Sequence, residues 1–184
     1  WQYLDIHSNW TNGFWRVPGA FNDVAPTNGV KTGCPYFIAW AAGVNQMEEP
    51  GKTLYELATP GTNSYGDKYK YSRKLIQFLK YYGIDGLCFN PEGYWGYTVY
   101  SRFIPFLAEC HKIAKELNHP FHVDWYAFVS NTGALSDNGC KLTTNNNNWF
   151  HHTATNQPVT DVFFLNYNWS ESGLQQSIET ARSH

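Results

Sequence analysis

Charge is what this chain has least of. Only 15% of its 184 residues are charged, and 13 basic against 15 acidic side chains leave a formal net charge of −2 at pH 7. No basic stripe is available to neutralise phosphates, so nucleic acid and anionic membrane surfaces are not expected as partners. No run of 18 apolar residues occurs, and no membrane span is expected. The four cysteines, Cys34, Cys88, Cys110 and Cys140, show no C-x-x-C spacing and are expected to be buried free thiols rather than disulfides or zinc ligands. His151 and His152 are adjacent, a poor chelating geometry, so no metal is expected, and no cofactor either. No signal peptide is visible. The chain opens on the strand-like WQYLD, as a segment that has lost its true start would.

Against these absences stands an 18% share of aromatic residues, with 8 Trp and 13 Tyr. Side chains with an apolar body and a polar tip suit interfaces and ring-shaped ligands, which points to a sugar. Five short β-rich runs recur, at residues 3–7, 33–40, 86–90, 121–126 and 161–167, and helix-patterned or polar stretches separate them. Tyr71, Leu75, Phe78, Leu79 and Tyr82 fall at helical spacing and Gly83 stops them. Phe103, Phe106, Leu107, Cys110, Ile113, Ala114 and Leu117 repeat the pattern, with Pro105 expected near the first turn. Ser172 with Gln175 reads as a capping box for a last helix that would bury Leu174, Ile178 and Ala181.

Alternating strands and helices imply right-handed βαβ units and a parallel sheet, either doubly wound or closed as a barrel. No Gly-rich phosphate loop follows any strand, which counts against the nucleotide-binding open sheet. Polar and aromatic residues cluster where strands end: His7 and Trp10, Trp40, Asn90 and Glu92 with Trp95 just beyond, Trp125 and Tyr126, then Asn166, Tyr167 and Trp169. Active sites of β/α barrels are assembled there. The expected fold is therefore an α/β, (β/α)8 TIM-type barrel, with residues 1–184 one catalytic domain covering about its first five units. In the stretch FNPEG, strand alternation sends Cys88, Asn90 and Glu92 to one side and Leu87, Phe89 and Pro91 to the other. Pro91 biases Asn90 away from the helical region, so the amide and the carboxylate should reach one substrate.

The run YYGIDGLCFNPEGYWG resembles the strand of glycoside hydrolase family 85, the endo-β-N-acetylglucosaminidases, that carries an N-x-E pair. WQYLDIHSNW, PTNGVKTGCPYFIAW, VDWYAF and DVFFLNYNW are similar to other strands of that family, in the same order. The resemblance implies substrate-assisted hydrolysis of the β-1,4 bond in the N,N′-diacetylchitobiose core of N-glycans, with a glycan or glycoprotein as partner. Glu92 would be the acid/base, Asn90 would orient the 2-acetamido group, and Tyr126 would stand near it. Trp40, Trp95, Asn166, Tyr167 and Trp169 would bind sugar. The family's W-Y-D-S reads Trp125-Tyr126-Ala127-Phe128 here, without the aspartate, and the tract TTNNNNWFHHTATNQ keeps only a degenerate echo of its next motif and otherwise reads as a polar loop. Glycan foraging would place the protein outside the cell or on its surface, although the family also has cytosolic members. Two other readings stay open: a two-carboxylate glycosidase pairing Glu92 with Asp124 or Asp161, and a glycan-binding barrel without turnover.

Overall fold

Strands form at the five β-rich runs, where β-branched and aromatic residues fit a pleated surface covered by helices. The computed structural model describes residues 2–8, 17–38, 55–92 and 96–184. Within them, β1 (Ile6–Ser8), α1 (Gly19–Thr27), β2 (Lys31–Ile38), α2 (Ser72–Tyr82), β3 (Gly86–Pro91), α3 (Gly96–Glu116), β4 (His122–Tyr126), β5 (Val162–Phe164) and α4 (Glu171–Arg182) follow one another. The strands form one parallel sheet in the order β1-β2-β3-β4-β5.

Strictly sequential order decides between the two sheet types. A doubly wound sheet reverses direction at a switch point; here each right-handed crossover adds the next strand on the same side, so the helices share one face. The other face must curl onto itself. Ser8 on β1 gives a hydrogen bond to Asp124 on β4 at 3.5 Å, although three strand spacings in a flat sheet would separate them by about 14 Å. The sheet is a partial TIM-type barrel.

Alternation sorts the strand residues. Cys34, Tyr36, Leu87, Phe89, Val123 and Trp125 join Leu75, Ile76, Leu79, Phe103, Phe106, Leu107, Cys110 and Ile113 in one buried cluster between sheet and helices. The inner face takes small residues where it curls most tightly. Gly33, Gly86 and His122 lie side by side in register, and a Cβ on Gly86 would run into the carbonyl oxygen and ring of His122. Gly86→Ala is therefore expected to destabilise the domain by about 1–3 kcal/mol. A melting temperature equal to wild type would contradict this crowding.

The helices depart from the sequence reading in four places. Pro105 lies in the interior of α3, which starts at Gly96, not near its first turn. The buried face carried by Phe103, Phe106, Leu107 and Cys110 offsets the roughly 3 kcal/mol an internal proline costs. The cap of α4 is Ser170, whose hydroxyl accepts from Gly173 N at 3.1 Å, not Ser172. That helix docks through Gly173 and Ser177 onto the 141–142 segment, where Ser177 Oγ accepts from Leu142 N at 2.9 Å. Such close approach favours small side chains, and Leu174 and Ile178 stay 41% and 36% exposed. In α2, Leu75, Ile76 and Leu79 face the core while Phe78 and Tyr82 are exposed. All four cysteines are buried free thiols.

The link from β4 to β5 holds two single-turn 3-10 helices, Asn138–Cys140 and Asn147–Trp149, and a short hairpin, His151–His152 against Gln157–Pro158. The asparagine tract is more than a polar loop. Asn146 Oδ1 accepts from Thr143 N at 2.7 Å, Asn131 Nδ2 donates to Asn147 Oδ1 at 2.9 Å, and buried Trp149 stacks on Trp125 with ring centroids 4.0 Å apart.

Candidate active site

β3 leaves the sheet through Asn90-Pro91-Glu92. Asn90 Nδ2 donates to Glu92 Oε1 at 3.0 Å, so the two side chains share one side of the strand end. Cys88 pairs in register with Asp124, and Phe89 with Trp125, which sets Tyr126 beside Asn90; Tyr126 in turn pairs with Phe164. These inward positions open on a cavity of about 440 Å³ lined by Ser8, Cys88, Asn90, Asp124, Tyr126 and Tyr167. Ile6, Val162 and Phe164 supply apolar wall from the first and last strands of the sheet. Glu92 is not itself among the lining residues and stands beside that wall, bonded to Asn90.

Protonation follows from burial. The Tyr126 hydroxyl is held above its ordinary pKa by burial first, then by the charges of Glu92 and Tyr167, so it remains a hydrogen-bond donor. The Cys88 thiol is pushed up to about 12, chiefly by burial, which removes it as a nucleophile near neutrality. Deeper in the barrel, burial raises the Asp124 carboxyl to about 7, with Asp161 adding to the rise, and lowers His122 to about 4. The two approach to 3.6 Å. Between about pH 4 and pH 7 that contact joins two neutral groups, not an ion pair, because burial keeps each uncharged.

The structure brings Asn90, Glu92, Tyr126 and Tyr167 together. Asn166 and Trp169 are not among the cavity-lining residues. Asn166 Oδ1 accepts from Tyr167 N at 2.6 Å in the turn after β5, and Trp169 is 55% exposed beyond it. Trp40 and Trp95, like Trp10, lie outside the described residues. Asp161 does not line the cavity either; its carboxylate accepts from Val123 N at 2.8 Å and lies 3.6 Å from His111 Nε2. Asp124 does line it, although the sequence names it only as a partner carboxylate and passes over Ser8 entirely. The available signal was an acid at the same strand parity as Tyr126 in the apolar run HVDWY.

This arrangement offers a carboxyl able to exchange protons, an amide bonded to it, a phenol donor and aromatic wall. Those groups suit a sugar with an amide substituent. The sequence model of glycosyl hydrolase family 85 matches residues 1–184. A cytosolic endo-beta-N-acetylglucosaminidase of Danio rerio is 26% identical over 178 residues, covering 95% of this chain and 22% of that protein. Among solved structures, the glycoside hydrolase domain of Endo-D from Streptococcus pneumoniae R6 superposes with a TM-score of 0.77 at 24% identity, over 100% of this chain and 27% of that one. The chain thus spans about a quarter or less of the length of these relatives.

Proposed function

The chain belongs to glycosyl hydrolase family 85, and on that premise we propose that it forms the first five β/α units of an endo-β-N-acetylglucosaminidase barrel. Its substrate would be the N,N′-diacetylchitobiose core of N-glycans, cleaved at the β-1,4 bond with help from the substrate's own acetamide. The observation that carries this reading is the Asn90 Nδ2 to Glu92 Oε1 bond at 3.0 Å beside the cavity. One strand end supplies both a proton carrier and an amide that can hold a second amide.

In this mechanism the carbonyl oxygen of the 2-acetamido group attacks the anomeric carbon and closes a protonated oxazoline ring, which keeps the acetamide N–H, while Glu92 gives its proton to the departing glycosidic oxygen. Glu92 then takes a proton from water, which opens the oxazoline and restores the acetamide with retained configuration. Asn90 holds the acetamide in line and stabilises its developing charge, and the Tyr126 hydroxyl donates to the same group. Aromatic side chains would stack on sugar rings, Tyr167 from the cavity wall and Trp169 from the turn beyond it, with Trp40 and Trp95 as further sugar-binding residues, and Asn166 would take a hydroxyl.

The geometry disfavours the two-carboxylate reading. Asp161 is engaged by the Val123 amide away from the cavity. Asp124 is level with Cys88, four residues before Glu92, or about 13 Å along an extended strand; paired glycosidase carboxylates stand about 5–9.5 Å apart. The missing W-Y-D-S aspartate weighs little against turnover, because Ala127 is buried and does not line the cavity. A cytosolic setting agrees with the name of the Danio rerio relative, whereas the comparisons give no support to a secreted or cell-surface one.

The test is hydrolysis of a dansylated N-glycan–asparagine by the intact protein, with the new reducing end identified. Release of a glycan ending in a single GlcNAc, the other GlcNAc staying on asparagine, is expected. Binding without release would favour the non-catalytic barrel.

A further inference from the structure

Beneath Asn90 and Tyr126 the cavity wall holds a polar group that the mechanism leaves unused. Asp124 points to the same side of β4 as Tyr126, lines the cavity and is 1% exposed. Its Oδ2 accepts from Ser8 Oγ at 3.5 Å, while Oδ1 is buried with no hydrogen-bond partner among the described residues. An unpaired buried polar atom costs about 1–3 kcal/mol. The surrounding wall of Ile6, Cys88 and Val162 offers no strong compensation. His122 offers none either, since its ring nitrogens make no hydrogen bond among the described residues and the nearer stands 3.6 Å from Oδ2.

We propose that Asp124, steadied by Ser8, is a sugar-binding residue at the floor of the cavity, donating its carboxyl hydrogen to the deepest oxygen of the N-acetylglucosamine unit seated there. The proposal rests on the reading of this cavity as the sugar site of an endo-β-N-acetylglucosaminidase. It gives Asp124 a role distinct from that of a nucleophile: the carboxyl acts in its neutral form, as a donor, and takes no part in bond making. Donation is the step the environment favours, because a carboxyl whose ionisation is delayed to about pH 7 still carries its hydrogen in mildly acidic solution. Above that range the donor is gone, and a buried negative charge faces the ligand oxygen instead.

The groups around Asp124 do not reverse this dependence. Ser8 from β1 and Lys31 from β2 favour the ionised form, whereas Asp161 before β5 opposes it and burial outweighs them all. Cys88 on β3 stays a thiol and His122 on β4 stays neutral from about pH 4 upward. Glu92 and Tyr126 lie toward the mouth, with Glu92 able to change kcat through its own proton cycle, so the binding role is read in KM.

The experiment follows KM and kcat of dansylated N-glycan hydrolysis from pH 6 to 8.5 in the intact wild-type protein, Asp124→Asn and Asp124→Ala, with melting curves for each. In wild type, KM is expected to rise about tenfold across the range, the loss of about one hydrogen bond. Asp124→Asn, which keeps an N–H donor and cannot ionise, should hold a pH-independent KM within about twofold of the wild-type value at pH 6. Asp124→Ala should raise KM at pH 6 about tenfold with kcat within about threefold. If the alanine variant does not fold, the asparagine profile decides alone. A wild-type KM at pH 6 in the alanine variant, or a KM in the asparagine variant that climbs with pH as wild type does, overturns the proposal. A collapse of kcat in Asp124→Asn overturns it too, by making Asp124 a reacting carboxylate. A wild-type protein that releases no GlcNAc-terminated product fails differently, since it removes the enzymatic reading on which the inference stands.

Discussion

Glu92→Gln is expected to lower turnover of an N-glycan by about 10²–10⁴-fold, the range a positioned acid/base supplies, while glycan affinity stays within a few-fold of wild type. The substitution is nearly isosteric. Asn90 Nδ2 donates to Glu92 Oε1 at 3.0 Å, and a glutamine carbonyl oxygen can accept the same bond, so the wall of the cavity keeps its shape. What disappears is the ability to give a proton to the leaving oxygen and later take one from water. Single-turnover hydrolysis and calorimetric glycan binding, measured on the same preparation, separate the two effects. Turnover within tenfold of wild type would remove Glu92 as the acid/base.

Asn90→Ala separates the two halves of the mechanism, although the residues sit two apart on one strand end. Without the amide, the acetamide is not held in line for attack on the anomeric carbon. Hydrolysis of the natural glycan should fall by about 10²–10³-fold, the loss seen when one preorganised donor is removed from a developing charge. A preformed glycan oxazoline bypasses that step. It should still react in Asn90→Ala, passing its glycan to water or to an acceptor GlcNAc with Glu92 as base, whereas Glu92→Ala should fail with both donors. The comparison needs both donors and both variants under one condition. Equal loss of the two activities in Asn90→Ala, or full activity on the natural glycan, would return the two-carboxylate mechanism to consideration.

The parts of the site legible in sequence were those held within a single strand. Asn90 and Glu92 share a side because extended backbone alternates every residue and Pro91 keeps the stretch extended, a purely local rule. Tyr126 was legible only as an aromatic at a strand end and through the family resemblance of its W-Y pair. Helix faces were less legible. Leu174 and Ile178 have the spacing of a buried stripe, yet α4 docks through Gly173 and Ser177 because the 141–142 segment approaches its backbone closely. Pro105 reads as a helix start, and only the packing of α3 against the sheet carries the helix on both sides of it.

The sequence by itself determined the alternation of strands with helices, the inward set on β3, and the family, since each depends on neighbours along the chain or on motifs in order. Tertiary structure alone decided what lies beneath that inward set. Ser8 and Asp124 are 116 residues apart and belong to strands that never pair, yet they meet at 3.5 Å. Their contact depends on how tightly the sheet curls, and that curvature depends on Gly33 leaving room for the Ser8 side chain and Gly86 for the His122 ring. Curvature is a property of several strands at once, with no local pattern to announce it.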